Sequence, residues 1–154
     1  MRGLSITQPW ASLVALGEKT VETRSWSTTY RGLLFIQAAK GFPADCQHLC
    51  WRDPFAPVLI GGGFDRAEQL PRGSIVAVAR LAHVAPTELF GSTDLLTIAE
   101  AGREFAFGDF SDGRFGWMLQ DVRPLKEPVP CRGALGLWAV PPTVRDLVAR
   151  QGVL

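Results

Sequence analysis

Gly17-Glu18-Lys19-Thr20-Val21-Glu22-Thr23-Arg24-Ser25-Trp26 places two cations, two carboxylates and an indole within ten residues. A glycine closes the apolar stretch before it, and the β-branched residues that follow read as a turn entering a short strand. Side chains alternate faces along a strand, so Val21 and Thr23 share one side while Glu22 and Arg24 share the other. Lys19 arrives from the turn, and three charged groups meet at one rim. The same spacing also fits a solvated edge with an Arg–carboxylate pair, an arrangement that stabilises little.

Working outward, residues 3–6 read as a strand and residues 9–16 as a helix opened by Pro9 and closed by Gly17. Strands are expected at about 20–25 and 32–39, and a helix over 43–51 with Pro43 and Asp45 in its first turn. Pro54 through Gly63, with three consecutive glycines, reads as a mobile loop with room to border the site. Ser74 to Leu81 is almost continuously apolar, which suits a strand buried on both faces or closing a barrel. A helix is expected over Thr93–Arg103, a loop over Phe105–Phe110, strands over Phe115–Val122 and Leu135–Val140, and a terminal helix over Thr143–Gln151. That is about six strands and four helices. Without a βαβ repeat carrying a Gly-rich fingerprint, the pattern is an α+β mixed barrel with short helices over its ends.

The resemblance rests on these stretches together. Gly17, Lys19, Glu22 and Arg24 match the signature G-x-K-x-x-E-x-R, preceded by Gln8-Pro9-Trp10-Ala11-Ser12 and followed by a strand that ends at Lys40. With Phe115-Gly116-Trp117 and Gly136-Leu137-Trp138, they resemble the ASCH (activating signal cointegrator homology) domain family in its eukaryotic-type branch, over roughly residues 3–140. The resemblance implies a PUA-like fold, a small β-barrel related to RNA-modification domains, and a nucleic-acid-associated role. Some similar domains are amidohydrolases that deacetylate N4-acetylcytidine with a Lys, a Thr three residues on and a separate Glu; others are described as ribonucleases. Here the third position after Lys19 is Glu22, so no catalytic triad carries over. Glu100 and Glu104 are both available as the separate Glu, with no motif to choose between them.

Composition bounds the partners. The 154 residues suit a single domain with its core at about 3–140 and its C-terminal helix at about 143–151, and 47% hydrophobic against 20% charged residues marks a globular chain. No apolar run reaches the roughly 20 residues that span a bilayer, and the N-terminus lacks a signal-peptide h-region; a cytoplasmic setting away from membranes is expected. A net charge of +1 argues against a broad basic coat. Any phosphate contact is local, and neutralising two or three phosphates of a single strand gives a log-log salt slope on the order of −1.4 to −2.1. Only three of the sixteen cations are Lys (Lys19, Lys40 and Lys126), and two of these fall in the family motifs. Cys46, Cys50 and Cys131 are odd in number, which fits a reducing compartment. Cys46, His48 and Cys50, with Asp53 and His83, allow a metal reading, but a helix would turn His48 away from the two thiols; no metal or other cofactor is expected.

On a barrel rim, Lys19, Arg24, Arg31 and Lys40 can neutralise phosphates, while Trp10, Trp26 and Tyr30 can stack on bases. Gln8 can meet a base edge, and Ser5 or Thr7 can offer a hydroxyl. Glu22 is the odd member, since a carboxylate repels phosphate and must accept from a base, orient a cation or move a proton. Two functions follow. In the first, the rim binds single-stranded RNA or a modified nucleoside without chemistry. In the second, Lys19 and Glu22 form an acid–base pair around an extruded base, where desolvation disfavours the ammonium. A third use, protein interaction through Phe105, Phe107, Phe110 and Phe115, competes with their reading as core anchors. Trp117 and Trp138 read as core. The oligomeric state is not legible.

Overall fold

Leu34, Phe35 and Ile36 are fully buried on successive positions of one strand, so both faces of the sheet must be covered. The computed structural model describes residues 1–91 and 95–154 and shows how. Strand β1 (Arg2–Ile6) leads into helix α1 (Trp10–Ala15), then strands β2 (Val21–Arg24) and β3 (Gly32–Ala38), followed by helices α2 (Ala44–Leu49) and α3 (Phe55–Gly61). Strand β4 (Ser74–Pro86), helix α4 (Ile98–Phe107), strand β5 (Phe115–Pro130), strand β6 (Leu137–Ala139) and helix α5 (Pro142–Ala149) complete the order.

The six strands form one sheet in the order β2-β5-β4-β3-β1-β6. The β1–β3 pair is parallel and the other four pairings are antiparallel. The long β4–β5 ladder shifts register at three places, between Ile75 and Ala77, Val78 and Arg80, and Leu81 and His83. Each irregularity bends and twists the strands, and the result is a curled half-barrel with short helices, the α+β barrel-like class expected.

One face buries Leu4, Leu34, Ile36, Ala79 and Trp117 with Ala11 and Val14 of α1. The other buries Phe35, Ile75, Val78 and Trp138 under Val144 and Val148 of α5. A third cluster joins Leu13 of α1 to Phe55 and Leu59 of α3 and Phe107 of α4. This cluster positions the helices beside β2.

Three expectations are corrected. Residues 54–63 are not a mobile loop: Phe55 and Leu59, one turn apart, bury a helical stripe against Leu13. The glycines only terminate that helix. Gly63 takes φ 91°, and the amides of Gly63 and Phe64 close back on Ile60 and Leu59. Residues 105–107 are the last turn of α4 rather than loop, because the helix begins at a Thr97 cap with Glu100 closing a capping box and runs to a buried Phe107. Thr93, the expected start, lies outside the described residues. Finally, β4 and β5 outrun their expected ends at Leu81 and Val122, since continued pairing as far as Pro86↔Phe115 and Ser74↔Pro130 overrides polar composition.

Gly116 sits where β5 passes under Phe90. A Cβ there would overlap the Phe90 ring and stand 3.1 Å from Val21 Cγ1, and Phe90 is 1% exposed. Gly116→Ala is expected to lower stability by about 1–3 kcal/mol. Urea unfolding would show this as a reduced midpoint, and an unchanged midpoint would contradict the packing described.

Candidate functional site

Helix α1 ends in a way that dictates the site. Gly17 adopts φ 76°, its amide bonds to Val14 O (2.9 Å), and the amides of Glu18 and Lys19 both return to Leu13 O (3.0 and 3.1 Å). This Schellman closure needs a residue comfortable in the left-handed region, which is glycine's role. It fixes the direction in which Lys19 leaves the helix. The side chain turns inward and is 1% exposed.

A buried ammonium requires acceptors. Lys19 Nζ donates to Val21 O and lies 3.8 Å from Glu22 Oε2 and 4.0 Å from Glu104 Oε2. Glu104, on α4, is fully buried, and its other oxygen accepts from the amide (2.6 Å) and hydroxyl (2.7 Å) of Thr20. Its Oε2 has no hydrogen-bond partner among the described residues. Strand alternation then sets Glu22 and Arg24 side by side, with Arg24 Nε 3.2 Å from Glu22 Oε1. Arg24 Nη2 donates to Ser5 O on β1 (2.5 Å).

Lys19, Glu22 and Arg24 floor a cleft of about 460 Å³, bordered by Ser5, Thr7, Trp10, Phe107 and Arg114 among others, with Glu104 buried behind Lys19. Its wall is aromatic: Trp10 meets Phe55 edge to face at 6.0 Å, and Phe55 meets Phe107 at 5.2 Å. The Trp10 indole donates to Phe107 O (2.6 Å), tying α1 to α4 along this wall. On the opposite lip Arg114 donates to Thr23 O (3.2 Å) and to Asp109 O (3.1 Å). Ser111, through its hydroxyl and then its amide, holds the Asp109 carboxyl below the usual carboxylate range, so this lip keeps an anion beside Arg114.

Residues 4–108 match the ASCH domain family, and they contain the whole cluster from Ser5 to Glu104. The chain belongs to the ASCH domain family. Over 152 residues, 98% of the chain, it is 54% identical to activating signal cointegrator 1 of Homo sapiens and equally to that of Mus musculus, and it spans 24% of the length of each. Among solved structures, ASCH from Zymomonas mobilis aligns over 97% of this chain and 93% of its own with a TM-score of 0.54 at 13% identity. A point mutant of the Zymomonas mobilis protein aligns over 97% and 96% with a TM-score of 0.53, also at 13% identity. The likeness to these structures is one of fold.

Within this ASCH domain, Lys19, Glu22, Arg24 and Trp10 come together at one cleft. The solvated-edge alternative for the charged segment does not hold, since Lys19 is 1% and Glu22 8% exposed. Ser5 and Thr7 border it as well, and the other candidates lie elsewhere. Gln8 is fully buried and spends its amide on the fold, donating to Pro71 O (2.7 Å) and accepting from Ser12 N (3.0 Å). Trp26 packs edge-on against Trp117 at 4.6 Å, and the Tyr30 hydroxyl donates to Leu33 O (2.6 Å), with burial raising its pKa. Arg31 is exposed and donates to the carbonyls of Thr28 and Tyr30. Lys40 lines a neighbouring concavity.

The two glutamate candidates separate cleanly. Glu100 is exposed and caps α4 through the amide and hydroxyl of Thr97, which hold its carboxyl below the usual range. Glu104 faces Lys19. Sequence reasoning missed Arg114, Asp109 and Phe55; the first two follow a helix whose end was placed too early, and Phe55 lay in the segment read as loop. Of the possible metal ligands, Cys50 is buried while His48 is exposed, and burial pushes the Cys50 thiol up to about 11. Among the described residues no three His, Cys, Asp or Glu side chains converge.

Removing one member of a buried charge cluster strands the others. Lys19→Met is expected to cost about 3–5 kcal/mol, and Lys19→Met combined with Glu104→Gln is expected to recover most of that loss. Chemical unfolding of the wild type, both single variants and the double variant measures this coupling. Additive losses would show that the two groups do not interact.

Proposed function

We propose that the cleft receives a nucleobase, from single-stranded RNA or from a modified nucleoside. The observation that carries this reading is the adjacency of Glu22 and Arg24 beneath the Trp10 wall, an acceptor and a donor 3.2 Å apart. A base edge presents an exocyclic amino group beside a ring nitrogen or carbonyl, and carboxylate and guanidinium are the side chains that answer those two features. Trp10 supplies a flat apolar wall for the ring, worth about 1–3 kcal/mol per stacked base. The volume of about 460 Å³ suits a base and its sugar. The carboxylate, awkward in a site for phosphate, is explained. Membership of the ASCH family, which resembles RNA-associated PUA-like domains, supports the same class of ligand. The three free thiols fit a reducing, cytoplasmic setting.

A second reading draws on a different observation. Lys19 lies within 4.0 Å of two carboxylates, one of which, Glu104, keeps a buried oxygen without a hydrogen-bond partner among the described residues. Such a trio can hold or relay a proton, so hydrolysis of a bound nucleoside or strand is the alternative. The hydroxyls of Ser5 and Thr7 border the cleft, but Ser5 Oγ is engaged with Ala134 O and the Trp138 indole. The binding reading needs nothing beyond the groups in place.

Incubation with a mixed-sequence single-stranded RNA and with N4-acetylcytidine, followed by product analysis, separates the two. The expected result is binding without product, weakened about tenfold by Glu22→Gln, in line with about 1–3 kcal/mol for one base-edge contact. Product formed by the wild type and lost with Lys19→Met would establish the hydrolase instead. Failure of both ligands to bind would overturn the cleft as a nucleobase site.

A further inference from the structure

Beyond Ser5 the cleft adjoins a second, larger concavity of about 1100 Å³, and Ser5 lines both. Lys40, Arg72 and Arg132 lie along it, and among the described residues no acidic side chain lines it. Their position follows from strand register. Lys40 comes just after β3, Arg72 just before β4 and Arg132 just after β5, and the facing ends of these strands pair as Ala38↔Ser74 and Ser74↔Pro130. Three neighbouring strands, about 4.8 Å apart, therefore present one cation each at the same end of the sheet. The connection is held by backbone: Gly73 N donates to Ala38 O (2.7 Å) and Cys131 N to Gly73 O (2.9 Å).

Two properties mark this row. None of the three takes part in any of the ion pairs found among the described residues, whereas Lys19, Arg24 and Arg114 at the cleft are all partnered by carboxylates. Moreover, the same concavity is lined by Gln37, 2% exposed, whose Nε2 donates to Cys131 O (3.0 Å) while its Oε1 has no hydrogen-bond partner among the described residues. Gly133 lies against this amide; a Cβ there would overlap both Gln37 Oε1 and Ser5 Oγ. Unpaired cations beside an unmet acceptor make a surface suited to a sugar–phosphate chain.

We infer that this concavity is a backbone track: a single strand places one base in the Trp10 cleft and carries its adjoining phosphates over Ser5 onto Lys40, Arg72 and Arg132. The inference rests on the proposed nucleobase site and makes its ligand a polynucleotide rather than a free nucleoside. An acidic peptide offers anions too, but no flat group for the cleft one residue away.

The experiment uses the whole chain, a fluorescein-labelled single-stranded RNA of about ten nucleotides, cytidine and N4-acetylcytidine as nucleosides, and a decapeptide of glutamates. The triple variant Lys40→Ala/Arg72→Ala/Arg132→Ala changes exposed residues only, and its melting temperature checks folding. For the wild type a log-log salt slope of about −2 is expected, falling towards zero in the triple variant, with affinity on the order of tenfold or more weaker at low salt. Affinity for a nucleoside is expected to be unchanged. An unaltered slope and affinity in the triple variant would overturn the track, and continued nucleoside binding would leave the cleft standing. Loss of RNA binding in the triple variant without nucleoside binding by the wild type would support the track and remove the cleft. Glutamate peptide binding as tight as the RNA would overturn a nucleic-acid track, as would absence of RNA binding altogether.

Discussion

An ammonium enclosed by protein must be met by acceptors on every side, and in this domain that requirement organises the elements around the cleft. The Gly17 closure aims Lys19 inward. Val21 O, Glu22 and Glu104 then receive it from two different elements, β2 and α4. Because Glu104 is itself held by Thr20, helix α4 is latched to the turn that carries Lys19. The Trp10–Phe107 hydrogen bond adds a second latch on the other side of the cleft. The cavity is thus framed by groups whose charges already balance one another, leaving the Arg24–Glu22 edge and the indole wall as the surfaces that the proposed base would meet. A buried charge cluster of this kind adds little to stability compared with an apolar core of the same volume, so its upkeep points to use.

The spacing of G-x-K-x-x-E-x-R has a mechanical explanation in this frame. The glycine supplies the left-handed residue that ends α1, and two residues later Lys19 is still bonded through its amide to Leu13 O. The next residues enter β2, where period-two alternation puts Glu22 and Arg24 on the cleft side and buries Val21 with Ala85 and Phe90. Among the described residues β2 is an edge strand paired only to β5. Its free side lets Arg24 reach across to β1.

How much of this was legible in the sequence depends on the range of the interaction. Local rules located α1, its glycine stop and the charged face of β2, because a helix end and a strand alternation are decided within a few residues. The burial of Lys19 was not legible, since its partner Glu104 lies 85 residues away and stood equal to Glu100 until the Thr97 cap fixed the phase of α4. Helix α3 was hidden by its glycines, which mark a terminus rather than a loop once Phe55 and Leu59 find Leu13. Trp26, Tyr30 and Gln8 looked available because they are polar or aromatic near the motif. Each is instead spent on local packing or backbone hydrogen bonds. Lys40 was grouped with the cleft by sequence and falls just beyond it, on the neighbouring concavity that shares Ser5.

The central claim is that a base enters between the Trp10 wall and the Glu22–Arg24 edge. Nitrogen-15 NMR of the Trp10 indole and the Arg24 Nε–H, assigned with Trp10→Phe and Arg24→Lys, reports on both surfaces at once during titration with a short single-stranded RNA. Both resonances are expected to move and to saturate at the same RNA concentration. Saturable binding that leaves both unmoved while signals elsewhere shift would contradict the account.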